Sequence, residues 1–155
     1  MPDDHDRTPT PPARIALDDF LCFAVYSAGH AFNRVYKPLL EKLGLTYPQY
    51  LVLVTLWEED DQTVGQIGEK LFLESSTLTP LLKRLEASGH VTRRRDSADE
   101  RVVRVRLTAE GKALSQTACE IAPHILAATG MDVPALVALQ RQIVSLRDGL
   151  RAAAA

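Results

Sequence analysis

Residues 75–107, SSTLTPLLKRLEASGHVTRRRDSADERVVRVRL, hold the reading that decides the fold. Leu78, Leu81, Leu82 and Leu85 recur at helical spacing behind a polar start and before a stop at Gly89, which predicts a helix. HVTRRRD and RVVRVRL then alternate apolar and basic residues on either side of the polar SADE, the pattern of a two-stranded hairpin with one basic face. Upstream, Thr63 and Gln66 have capping-box spacing and open a short helix through about Leu71. Two short helices with a tight connection, followed by a hairpin, make a winged helix-turn-helix unit.

The flanks are helical. From Leu17 to Leu40 the apolar residues follow helical spacing, Asp18 and Asp19 suit the first turn, and the helix is expected to end near Pro38 or slightly beyond. Gly44 stops it, and Thr46, Pro48 and Gln49 start another over about Tyr47 to Glu58. After the hairpin, Thr108 opens AEGKALSQTACEIAPHILAA, in which Pro123 should produce a kink or break. Asp132 caps a last helix whose stripe of Val133, Leu136, Val137, Leu139, Ile143, Leu146 and Leu150 needs a partner surface. The expected architecture is therefore mainly α with a small β wing. Residues 1–14 are expected to be a disordered tail, 15–45 and 109–155 a helical dimerisation region, and 46–108 the winged DNA-binding region of one continuous domain.

The chain has 155 residues, 46% of them hydrophobic, which suits one folded domain. It holds no run of 18 apolar residues, and its acidic, Pro-rich start reads as neither a signal peptide nor a membrane span, so a cytoplasmic location without membrane contact is expected. Cys22 and Cys119 are too far apart for a CxxC motif. His5, His30, His90 and His124 lack metal-ligand spacing, and no phosphate-binding Gly loop or Ser/His/Asp set is present. Neither a cofactor nor a metal is expected.

The net charge of −2 conceals a local excess. Residues 80–106 carry eight basic side chains (Lys83, Arg84, Arg93, Arg94, Arg95, Arg101, Arg104, Arg106) against four acidic ones (Glu86, Asp96, Asp99, Glu100). A basic segment in an otherwise acidic chain points to a local polyanion footprint. The second helix of such a unit enters the major groove by its N-terminal part, here Ser75, Ser76, Thr77 and Thr79, whose short hydroxyl side chains can bond base edges or phosphates. Lys83 and Arg84 follow toward the backbone. Asp99 can hold the Arg101 guanidinium for insertion into a narrow minor groove, while Arg93, Arg94 and Arg95 can add phosphate contacts. Alternating Arg on strands is more often a solvated sheet face. Its continuity with a polar-nosed helix favours double-stranded DNA here.

With these elements in place, the sequence resembles the MarR-type winged-helix repressors, DSADERVVRVRLTAEGKAL being similar to that family's wing and exit pattern. LCFAVYSAGHAFNRVYKPLLEKLGLTYPQYLVLVTLWE and LFLESSTLTPLLKRLEASG resemble its organic-hydroperoxide-sensing branch. The resemblance implies a homodimeric repressor, not an enzyme, that binds a palindromic operator when reduced and leaves it when a cysteine is oxidised by an organic hydroperoxide. It implies that Cys22 is the sensing thiol, that Tyr36 and Tyr47 hydrogen-bond it, and that Tyr26 lies near the same site. Asp99 and Arg101 match the wing pair, and Cys119 is a possible resolving cysteine.

Helix geometry adds a constraint. Cys22 and Tyr26 share a face, whereas Tyr36 lies ~21 Å farther along a helix rising ~1.5 Å per residue. Tyr36 therefore cannot touch its own Cys22, but two such helices crossing antiparallel would bring Tyr36 of one subunit to Cys22 of the other. A lone helical cysteine is more often inert core packing, and tyrosines often sit at core edges. Cys119 could equally be a small buried residue. Two other readings stay open: a MarR-type regulator released by a small aromatic ligand, and a thiol peroxidase.

Overall fold

The computed structural model describes residues 15–155, and the tail expected over 1–14 lies outside the described residues. Helices α1 (Leu21–Glu41) and α2 (Tyr47–Glu58) lead into strand β1 (Gln62–Thr63), helices α3 (Val64–Leu71) and α4 (Ser75–Ala87), and strands β2 (Val91–Arg95) and β3 (Val103–Leu107). Helices α5 (Ala109–Ala118), α6 (Ile121–Thr129) and α7 (Val133–Ala153) complete the chain. The antiparallel sheet has the order β1-β3-β2, with Arg93 opposite Val105 and Gln62 on the other side of Val105.

The core centres on the winged unit, with Leu40 of α1, Ala118 of α5 and Ile121 of α6 buried in the same cluster. Val52, Leu53 and Leu56 of α2, Ile67 of α3, Leu78, Leu82 and Leu85 of α4, and Val91 and Val105 of the sheet are essentially inaccessible. The i, i+4, i+7 spacing of the three α4 leucines leaves the polar side of that helix outward. Both capping boxes form: Thr46 with Gln49 at the start of α2, and Thr63 with Gln66 at the start of α3.

Two details depart from the sequence expectation, the start of α1 and strand β1. Helix α1 starts at Leu21 because Phe20 is extended; Leu17–Asp19 is a separate 3-10 turn that takes Asp18 and Asp19 out of the helix. The helix opened by Thr108 breaks, as expected from Pro123, at Cys119–Glu120, four residues before it, because the proline ring displaces the carbonyl of residue i−4 and supplies no N–H to it. Strand β1 carries no sequence signal: it is two residues long and exists only because β3 has a free edge. The winged unit continues into α5 without a seam. Trp57 Nε1 donates to the Gly111 carbonyl at 2.8 Å, and any Cβ on Gly111 would lie 2.0 Å from the His90 carbonyl oxygen, so the first turn of α5 is locked to the winged unit.

Asp61 ties the wing to the loop before β1. Its backbone is left-handed (φ 59°), and its carboxylate accepts from Arg104 Nε at 2.9 Å and Arg106 Nη2 at 2.7 Å. Hydrogen bonds from Arg106 and then Arg104 hold the Asp61 carboxyl down to about 2 from 3.8. A depressed carboxyl contributes stability above its unfolded value and loses it as the pH falls through the folded value. Melting temperature is therefore expected to drop between about pH 4 and about pH 2, and Asp61→Asn should flatten that part of the profile. An unchanged acid limb in the variant would remove Asp61 from the account.

Candidate nucleic-acid interface and sensor site

Ser75, Ser76 and Thr77 are exposed on the first turn of α4, Thr79 is half-buried, and Lys83 and Arg84 are exposed farther along. At the wing tip, Asp99 receives Arg101 in a two-pronged pair, Nε to Oδ1 at 3.0 Å and Nη2 to Oδ2 at 3.1 Å, and also accepts the Arg101 backbone N–H. The Arg101 side chain is nevertheless 90% exposed, an oriented cation projecting from the protein. Arg95 is oriented by donating to the Glu100 carbonyl at 2.7 Å, and Arg94 is exposed without an acidic partner among the described residues.

The basic segment is thus less free than its composition suggests. Arg93 does not stand ready for the phosphate contact expected of it: its backbone N–H, Nε and Nη2 all bond the Glu86 carboxylate at 2.8–2.9 Å, fastening the wing to α4. Arg104 is likewise engaged by Asp61 and Asp96, and Arg106, though 60% exposed, pairs with Asp61 through Nη2. What projects is Lys83, Arg84, Arg94, Arg95 and Arg101.

The tyrosines come together from two helices. Tyr36 of α1 and Tyr47 of α2 have ring centroids 4.8 Å apart, and Tyr50, which sequence reasoning missed, lies 6.0 Å from Tyr36 and 6.5 Å from Tyr47. The i, i+3 relation of Tyr47 and Tyr50 on α2 was the available signal. Burial, then the neighbouring Tyr47 and Tyr50, pushes Tyr36 up to about 12; burial also raises Tyr47 and Tyr50. At neutral pH all three are phenols with an O–H to donate. Cys119, at the α5–α6 break, is exposed rather than buried.

Tyr26 is not in this cluster. It is 65% exposed on α1 and packs edge-on against His30 at 4.4 Å. Cys22 is also exposed, at the second position of α1, where Phe20 provides no side-chain cap for the first-turn amides. Because α1 is one continuous helix, Cys22 and Tyr36 stand ~21 Å apart along it. Around them lies uncovered apolar surface: Leu21, Val25 and Phe32 on α1, and Val133, Val137, Leu139, Ile143 and Leu150 on α7, a helix with no buried residue. An apolar cleft of about 280 Å³ separates Phe32 and Val35 from Ile125, Leu136 and Leu139.

An outward polar helix beside a basic wing, carried with long helices whose apolar faces lack a cover, defines a winged helix-turn-helix transcriptional regulator. The profile of the family described as "Transcriptional regulator SarA/Rot" matches residues 34–117, and the chain belongs to this MarR-like family of transcriptional regulators. It is 54% identical over 140 residues to the HTH-type transcriptional regulator TtmR of Methylorubrum extorquens, covering 90% of this chain and 71% of the relative. It is 42% identical over 134 residues to the organic hydroperoxide resistance transcriptional regulator of Bacillus subtilis, covering 86% and 91%. Among solved structures it resembles AbfR of Staphylococcus epidermidis. The likeness to reduced AbfR bound to DNA has a TM-score of 0.76 at 37% identity over 87% of this chain and 92% of that one. Against the disulfide form the TM-score is 0.58, at 39% identity over 84% and 87%.

Proposed function

We propose that this regulator is a homodimeric repressor that binds a palindromic DNA operator when reduced and releases it when an organic hydroperoxide oxidises Cys22. The observation that carries the reading is the separation, along the one continuous helix α1, of Cys22 from Tyr36 and the Tyr47 packed on it from α2, next to uncovered apolar faces. A single chain cannot complete this site. Gly29 is midway between Cys22 and Tyr36, and a Cβ there would meet nothing within 4 Å. Two antiparallel α1 helices crossing at Gly29 bring each Cys22 to the other subunit's tyrosines, with α7 covering the same layer.

In this arrangement the tyrosine hydroxyls donate to the sulfur of the partner subunit. The Cys22 thiolate attacks the terminal peroxide oxygen, the O–O bond breaks, the sulfur becomes sulfenic acid, and the alkoxide takes a proton from solvent and leaves as the alcohol. Cys119, exposed at the α5–α6 break, then attacks that sulfur, water leaves, and an intersubunit disulfide forms. The repressor's DNA contacts are assigned to Ser75, Ser76, Thr77 and Thr79 in the major groove, to Lys83, Arg84, Arg94 and Arg95 on phosphates, and to Arg101, held by Asp99, in the minor groove. The greater likeness to reduced, DNA-bound AbfR than to its disulfide form supports reading the present conformation as the DNA-competent one.

The test is non-reducing intact mass after one equivalent of cumene hydroperoxide, with DNA binding followed in the same sample. A covalent dimer that loses DNA and regains both states with reductant is expected. Cys119→Ser should bind DNA normally when reduced and form no crosslink; a crosslink that survives in it removes Cys119 as the resolving residue. Unchanged mass together with unchanged binding would overturn the thiol switch altogether.

A further inference from the structure

Helix α7 is attached only lightly to its own chain, yet its last two turns meet the helix-turn-helix at one well-defined place. The guanidinium carbons of Arg147 and Arg151, one helical turn apart, each lie 4.4 Å from the ring centroid of Phe72. Phe72 closes α3 in the left-handed conformation (φ 56°, ψ 38°), which glycine adopts at far less cost, and it is 47% exposed. Burial does not account for an aromatic residue kept at a strained surface position. Two cations over its ring do.

The surrounding backbone is stiff. The N–H of Leu73 donates to the Gly68 carbonyl at 2.9 Å, and a Cβ on Gly68 would approach the Leu73 carbonyl oxygen to 2.8 Å. Helix α3 and the turn are therefore wound closely together, and α4 starts three residues after Phe72. Arg151 shares a concavity with Glu69, Glu74 and Ser75, which places the end of α7 beside the first residue of α4.

We propose that Phe72, Arg147 and Arg151 form the joint through which α7, and with it the subunit-pairing layer, sets the angle of α4 against DNA. They are positioning residues, not phosphate ligands. The inference rests on the DNA-binding reading above and extends it. A rearrangement of the layer displaces α7, and a stiff joint carries that displacement to Ser75.

The test compares the full-length reduced protein with Phe72→Leu, which keeps apolar bulk without a π face, and Phe72→Tyr, which keeps the ring. Arg147→Gln/Arg151→Gln and Arg147→Lys/Arg151→Lys make the same comparison for the cations. The probe is a duplex selected from a random-sequence pool by the wild-type protein. Phe72→Leu and the Gln pair are expected to bind about five- to twentyfold more weakly with the wild-type salt slope, whereas the Tyr and Lys variants stay within about threefold of wild type. Amide exchange over residues 72–79 should accelerate in the first two variants only. Undiminished affinity with undiminished protection would overturn the joint. So would a salt slope lowered by about one for each arginine, since that marks direct phosphate contact. If the wild-type protein selects no duplex, the DNA-binding reading fails, while the exchange comparison still decides the joint.

Discussion

Cys22→Ser protein is expected to remain on its operator at hydroperoxide concentrations that strip the wild-type protein from it. The hydroxyl is nearly isosteric with the thiol but is not oxidised by peroxide, so the substitution removes the chemistry and leaves the geometry. Reduced wild-type and variant proteins should bind DNA within about twofold of each other, because Cys22 is on α1, away from α4 and the wing. The contrast appears on adding one equivalent of oxidant: loss of the wild-type complex, retention of the variant complex, and a variant mass without a new sulfur–oxygen or disulfide adduct. Fluorescence anisotropy of a labelled operator, read beside intact mass, measures both. Release of Cys22→Ser by the same dose would move sensing away from this sulfur.

The second large effect is expected from Leu139→Glu/Ile143→Glu on α7. These residues are 39% and 45% exposed in the single chain, and Leu139 also faces the cleft lined by Phe32 and Val35, so the monomer loses part of that packing while its helix content, read by circular dichroism, should stay intact. In the proposed dimer both positions become buried. Losing their apolar burial and placing carboxylates there should weaken association by about 4 kcal/mol or more, about a thousandfold. A monomer forfeits the tethered second half-site, so operator affinity should fall by about a hundredfold or more. Sedimentation velocity and operator titration on one preparation check the two together. A variant that stays dimeric would place the subunit interface elsewhere than on α7.

Much of the fold was legible because its signals are local. Thr46 with Gln49 and Thr63 with Gln66 each satisfy orphan amides within four residues, and both boxes form where their spacing places them. The α4 leucines are separated by helical periods, and the hairpin alternates with period two, so both could be read without knowing any neighbour. The Asp99–Arg101 pair spans two residues and forms as expected. The misses are non-local. Glu86 claims Arg93 from the preceding helix, and Asp61 claims Arg104 and Arg106 from more than forty residues away, so a count of positive charges overstated the free cations. Tyr50 escaped notice because only the packing of α1 on α2 brings it to Tyr36.

By itself the amino-acid order determined the element types, the winged helix-turn-helix succession, the two cysteines and the distance that keeps Cys22 from its own Tyr36. These follow from helix rise, side-chain periodicity and capping, which are properties of short stretches of chain. Only the tertiary structure decided which arginines are free and which are paired with carboxylates of the protein, that β3 recruits β1, that Tyr36, Tyr47 and Tyr50 share one half-buried cluster, and that Phe72 meets the end of α7. Each of these joins groups distant in sequence, and such pairs are selected by how the elements pack, a choice no local pattern encodes.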